Sequence, residues 1–305
     1  MMLSFNMPND YENQLDTIPF RDPRVAYFVG ATCLAYQIKT YSVDSDAKAL
    51  IAHFKVHYFP TIIVTDSDGN EIDRMIGYYP PAQFIYYIEN FINNHNTVGD
   101  LKRRLASDTS NIIVAFQLAS RFELRIDLDS AMHYFEYVIF HGQDSSLLVQ
   151  RAKYHLGDFH LKVFGNPFFL YEFIDRTHVD SLRYSAYHEV IDYYQKTKMR
   201  DSLLAVYSRA IRAYPRDDDF LNNYAWELAT TGGNLDSAQA YVSKAISLDP
   251  SVPDYYDTRA EIYMHRRQFD KALAQIQKAL RLKHNDPYLI EREDKCRAAL
   301  EKSKN

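Results

Sequence analysis

Thiol chemistry is the first possibility to weigh, because the cysteine thiolate is the side-chain nucleophile most readily formed near neutral pH. The 305-residue chain holds two cysteines, Cys33 and Cys296. Disulfide exchange needs one thiolate to attack and a second to resolve the mixed disulfide. These two lie towards opposite ends of the chain, and both read as packing thiols. Metal chemistry has a similar shortfall: His53 and His57 stand four apart, as ligands on one helical face can, but Phe54 and Val56 lie between them with no third or fourth ligand in register. Asp10, Tyr11 and Glu12 are titratable neighbours without a partnered base, nucleophile or glycine-rich anion loop. Acidic side chains favour the N-terminal end of a helix dipole, so this run reads as a solvated turn and helix start. The expectation is a chain with no catalytic residue, no metal and no cofactor.

Composition narrows the function classes further. At 305 residues, with 47% hydrophobic and 25% charged residues, the chain is long enough for two cores and ordinary for a globular protein. The net charge of −5 is uneven: residues 1–98 hold 6 Lys/Arg against 11 Asp/Glu, leaving 29 of each sign in the remainder. No basic stripe is left to neutralise phosphates, which argues against nucleic acid as a partner. No run of eighteen apolar residues occurs, so membrane insertion is not expected. The start MMLSFNMPND lacks the regions of a secretory leader, and the chain as given reads as cytoplasmic; periplasmic or secreted placement would follow if a leader had been removed.

These residues must be positioned by an α/β layer at the front of the chain. MLSFN is a short apolar strand candidate, and Pro8-Asn9-Asp10 is a turn signal that could also open a helix. Asp22 to Leu34 reads as a helix with Asp22 as N-cap and Pro23 in its first position. AYQIKTYSV alternates as a strand, and SDAKALIAHFKV places Ala49, Leu50 and Phe54 on a helical period. Two β-rich runs flanking Asp66-Ser67-Asp68-Gly69 predict a hairpin. PPAQFIYYIENFI predicts a helix with Phe84, Ile85, Ile88, Phe91 and Ile92 inward.

The stretch Phe54-Lys55-Val56 to Phe59-Pro60-Thr61, followed by an apolar strand, Asp68-Gly69, and Gly77 before the last helix, resembles the second half of a thioredoxin-fold domain. The resemblance implies that the bond before Pro60 is cis and that Phe59, Pro60 and Thr61 form a corner able to pair with an extended ligand. It places the family's Cys-x-x-Cys positions near Asn9, Asp10, Tyr11 and Glu12, where this sequence has no thiol. A thioredoxin-like domain over 1–96 is therefore expected to be redox-inactive.

Behind it the chain repeats. Ala210-Ile211, Ala245-Ile246 and Ala279-Leu280 recur at 35 and 34 residues, Ala238 and Ala272 at 34, and Pro215 and Pro250 at 35. An earlier copy fits at Ala119, Phe122, Leu128, Ala131, Phe135 and Ile139, followed by a degenerate stretch from Ser145 to about Leu182 that Gly165-Asn166-Pro167 breaks. Small residues at fixed places, with Tyr194, Tyr207, Tyr224, Tyr263 and Phe269 between them, resemble tetratricopeptide (TPR) repeats. About five helical hairpins and a charged cap from Pro287 to Leu300 would fill 97–305 as an all-α superhelix. The resemblance implies a groove lined by the first helix of each pair, facing which would be His188, Asp192, Gln195, Asn222, Trp226, Asp257, Glu261 and His265.

The whole chain resembles bacterial proteins that join thioredoxin domains to such repeats. The expected function is non-catalytic: a protein-binding adaptor with a proline corner and a peptide groove, its partner a protein or peptide. The enzymatic alternative is a glutathione-transferase-like protein or a thiol–disulfide enzyme with an atypical site. Against the first stand the 34-residue period and Arg74-Met75-Ile76-Gly77, where an acidic-serine pair would be needed.

Overall fold

The computed structural model describes residues 1–6, 20–39 and 45–304. Strands β1 (Met2–Asn6), β2 (Ala35–Lys39), β3 (Thr61–Thr65) and β4 (Glu71–Ile76) form one sheet in the order β2-β1-β3-β4. β1 pairs parallel with β2 and antiparallel with β3, and β3 pairs antiparallel with β4. A parallel pair needs a crossover, supplied here by α1 (Pro23–Thr32). Its N-cap is Asp22, whose Oδ1 accepts from the Arg24 amide at 2.9 Å.

Every residue of β1 and β3 is buried, because these strands are central and covered on both faces. Met2, Ile62 and Val64 pack with Val25 and Val29 of α1 and with Phe84, Ile88 and Phe91 of α3 (Pro81–Ile92). Leu3, Phe5 and Ile63 point the other way, onto Ala47 of α2 (Ser45–His53) and Phe54. Two positions that the sequence puts on apolar helical periods turn outward. Ile92 is exposed because Phe91, 100° away on the helix, takes the core site, and Ala49 is exposed because Ala47, Leu50, Ile51 and Phe54 supply the inward face of α2. In the hairpin, Asp66 Oδ1 accepts from the amides of Asp68 and Asn70, both at 2.9 Å.

One compact unit comprises Met1–His160 with Asp175–Leu182. Within it the sheet layer is followed by α4 (Val98–Ser107), α5 (Ile112–Leu124) and α6 (Leu128–His141), whose core includes Leu101, Val114, Leu118, Phe135 and Val138. β4 meets the α5 end through charge. The fully buried Asp73 carboxylate is paired with Arg125 and lies 3.7 Å from Arg121, while Glu71 is paired with Arg74 and, at 3.2 Å, with Arg125.

The other unit comprises Leu161–Ile174 with Arg183–Asn305. Helix α7 (Leu147–Phe164) breaks at Gly165 before α8 (Phe168–Arg176). The regular array follows: α9 (Asp180–Lys196) with α10 (Arg200–Ala213), α11 (Asp218–Thr230) with α12 (Leu235–Leu248), α13 (Pro253–His265) with α14 (Phe269–Leu282), and finally α15 (Pro287–Lys302). The second helices of these pairs begin 35 and 34 residues apart. Ala210, Ala238, Ala245, Ala272 and Ala279 are all fully buried, so the repeated small residues mark where helices approach most closely. α15 packs on the end of the array and buries Cys296 with Ala260, Ala272 and Ile276.

The turn inside each pair repeats as well. Ile126, Lys198, Gly232 and Arg267 take left-handed φ values of 55°, 55°, 72° and 58°. The next residue's amide then reaches back five positions to Phe122, Tyr194, Leu228 and Tyr263, at 2.9–3.0 Å. This is the Schellman closure, which satisfies carbonyls that the helix end would leave unpaired. Together, the mixed sheet and the stacked 34-residue hairpins are an α/β thioredoxin-like layer followed by TPR-type repeats. Among the described residues, no helix is long and apolar enough to cross a membrane.

Candidate functional site: a proline corner and a helical groove

The Phe59–Pro60 bond is cis, and Pro60 is buried at the start of β3. Two hydrogen bonds hold the corner: the Gly77 amide donates to the Pro60 carbonyl at 2.9 Å, and Thr61 Oγ1 donates to the Tyr58 carbonyl at 2.7 Å. Thr61 is consumed by the sheet, where it pairs with Phe5 and Ile76. Phe59 is half-buried and Tyr58 beside it is exposed. Asn9, Asp10, Tyr11 and Glu12 lie outside the described residues.

In the second unit, residues of α9, α10 and α11 line an open cavity of about 340 Å³. Three of the expected groove residues, His188, Asp192 and Gln195, line it from α9. Opposite them stand Tyr207, which the repeat pattern marked as an inter-helix packing residue, and Phe220 and Asn223, which sequence periodicity did not single out. The His188 ring lies over Phe220 at 4.8 Å between centroids with planes 27° apart, and Gln195 Nε2 donates to the Tyr207 hydroxyl at 3.2 Å. Burial pushes the Tyr207 hydroxyl's ionisation upward. Asp192, exposed at the rim, is bonded by Lys196 at 2.7 Å, one helical turn on.

The remaining expected positions are placed elsewhere. Asn222 is buried and does not line this cavity; its Oδ1 has no hydrogen-bond partner. Trp226 is half-buried. Asp257 is buried and accepts from the Tyr288 hydroxyl at 2.8 Å and from Arg292 Nε at 2.7 Å. Arg292 also donates to Glu261 at 2.5 Å, and His265 Nε2 stands 3.2 Å from the other Glu261 oxygen. The carboxylates of Asp257 and Glu261 are thus taken up by α15 rather than presented to solvent. Burial and the Asp257 carboxylate push the Tyr288 hydroxyl up to about 12. Among the described residues, no group of three or more His, Cys, Asp or Glu could hold a metal ion.

Residues 8–92 match a thioredoxin-like domain family. The match takes in β2, β3 and β4, the three helices α1 to α3 and the cis-proline corner. No curated protein matches the chain significantly. Among solved structures, YrrB, a TPR protein with an unusual peptide-binding site, is similar over 67% of this chain and 98% of its own, with 16% identity and a TM-score of 0.47. The C-terminal part of a TPR repeat-containing protein from Cytophaga hutchinsonii is similar over 66% of this chain and 77% of its own, at 14% identity and a TM-score of 0.49. TTC0263, a TPR protein of Thermus thermophilus, is similar over 61% and 98%, at 23% identity and a TM-score of 0.34.

Proposed function

We propose that this protein is a non-catalytic adaptor: a thioredoxin-like domain over residues 1–96 without the cysteine pair, joined to a TPR-type array over 97–305 that binds an extended peptide of a partner protein. The observation that carries the reading is the cavity at α9–α11. Its wall combines two carboxylates, an imidazole, two carboxamides and the ring of Phe220, a mixture suited to backbone amides and one apolar side chain. Such a site has hydrogen-bonding capacity and shape but no activated nucleophile. The Pro60 corner offers a second docking place, and two modest contacts on one partner reinforce each other through effective concentration.

A displayed library of random peptides panned against the full chain would test this. Enriched peptides, titrated by calorimetry, should bind His188→Ala and Asn223→Ala at least about tenfold more weakly than the wild type, equivalent to about 1.4 kcal/mol. Peptides that bind all three proteins equally would remove the groove from the proposal.

A further inference from the structure

A second cavity, of about 490 Å³, lies within the first compact unit, between the α3 side of the thioredoxin-like layer and helices α4 and α5. It is independent of the groove reading above. Its volume falls in the range of small-molecule sites, well beyond what a single side chain fills. One wall is aromatic: Tyr79 meets Tyr87 at 5.2 Å, Tyr86 meets Tyr87 at 5.6 Å, and Tyr87 leads on to Phe91. Three guanidinium groups, Arg74, Arg121 and Arg125, also line the cavity, and no carboxylate does among the described residues.

The three arginines are not equally committed. Arg74 is bonded to Glu71 and to the Phe54 carbonyl at 2.7 Å, and Arg125 is bonded to Asp73 and Glu71. Among the described residues, Arg121 makes only long contacts, 3.7 Å to Asp73 Oδ2 and 3.4 Å to the Asn96 carbonyl, with its guanidinium 5.7 Å from the Phe91 ring. Contacts of that length are weak, and the ring leaves the fork's donors free to turn. Among the described residues, these three guanidinium groups share two carboxylates, Glu71 and Asp73, in their ion pairs, an excess of one positive charge in the cluster.

We propose that this cavity binds a small aromatic anion, its ring lodged against Tyr79, Tyr86 and Tyr87 and its carboxylate or phosphate held by Arg121. Aromatic faces and edges accept a flat ring in offset or edge-on geometry. A guanidinium fork matches either oxyanion with two parallel hydrogen bonds. Tyr86 is exposed and forms the rim; Arg121 is the recognition residue.

Calorimetric titration of the full chain with naphthalene-1-acetate and with adenosine 5′-monophosphate tests this, each beside its uncharged counterpart, naphthalene-1-acetamide or adenosine. One anion should bind with a stoichiometry of one, at least about tenfold more tightly than its neutral counterpart; which one does tells aryl carboxylate from nucleotide. Arg121→Gln, which keeps hydrogen-bonding capacity but not charge, should weaken binding at least about tenfold. Tyr86→Ala, at an exposed position, should weaken it about threefold or more without disturbing the fold. Failure of both anions to bind, a neutral compound binding as well as its anion, or binding that survives both substitutions would overturn the proposal.

Discussion

Burial of Glu227 on α11 pushes its carboxyl above the ordinary carboxylate range, against the opposing charge of Arg200. A carboxyl raised on folding keeps its proton to higher pH in the native than in the unfolded chain. The advantage it gives the native state is complete below the unfolded value and is lost as pH rises through the raised one. Glu227→Gln should therefore raise the urea midpoint at pH 7 and leave it nearly unchanged at pH 4; a lower midpoint at pH 7 would show that the charge is stabilised in place. The same competition between burial and partners is visible at Tyr255, whose hydroxyl donates to Asp218 at 2.9 Å and Asp219 at 3.0 Å. Burial and those two carboxylates raise its ionisation, so the ring serves as a hydrogen-bond donor that ties α13 to the start of α11.

Among the elements, the tight turns carry the repeat as much as the helices do. Gly232 occupies the left-handed position that Lys198 and Arg267 occupy in neighbouring pairs, and an added Cβ there would meet nothing within 4 Å. Its cost is purely conformational: Gly232→Ala should destabilise the protein by about 1–2 kcal/mol in urea unfolding, with the slope unchanged. A change below about 0.3 kcal/mol would mean that the α11–α12 turn is not held left-handed in solution.

That turn also shows where sequence reading stops. The 34-residue period, the hairpin at Asp66–Gly69 and the inward face of α3 at Phe84, Ile88 and Phe91 are legible because local spacing dictates them. The left-handed lysine and arginine are not, since the five-residue closure overrides their side chains' preference. Nor is the groove's far wall. Asn222 and Asn223 are adjacent in sequence but 100° apart on α11, and only packing decides which one faces the cavity. Asp257 looked like an exposed groove position because its partners, Tyr288 and Arg292, lie more than thirty residues away. Arg125 and Asp73 are 52 residues apart and escape a local reading for the same reason.

For the whole molecule, the proposed binding role turns on a thioredoxin-like scaffold whose sequence holds no Cys-x-x-Cys pair. The cis-proline corner is intact, yet the residues preceding Cys33 contain no cysteine, and Cys33 itself caps α1 beside the edge strand β2. Cys296, on α15 itself, is buried against Ala260, Ala272 and Ile276, where desolvation pushes its thiol up. In the proposed role neither serves disulfide exchange, which needs an attacking and a resolving thiolate. The most direct measurement is insulin reduction with dithiothreitol as electron source, run on the full chain and on Cys33→Ala. The expected result is precipitation no faster than with dithiothreitol alone for either protein. Acceleration by the wild type, above all acceleration lost in Cys33→Ala, would contradict a role that rests on binding alone.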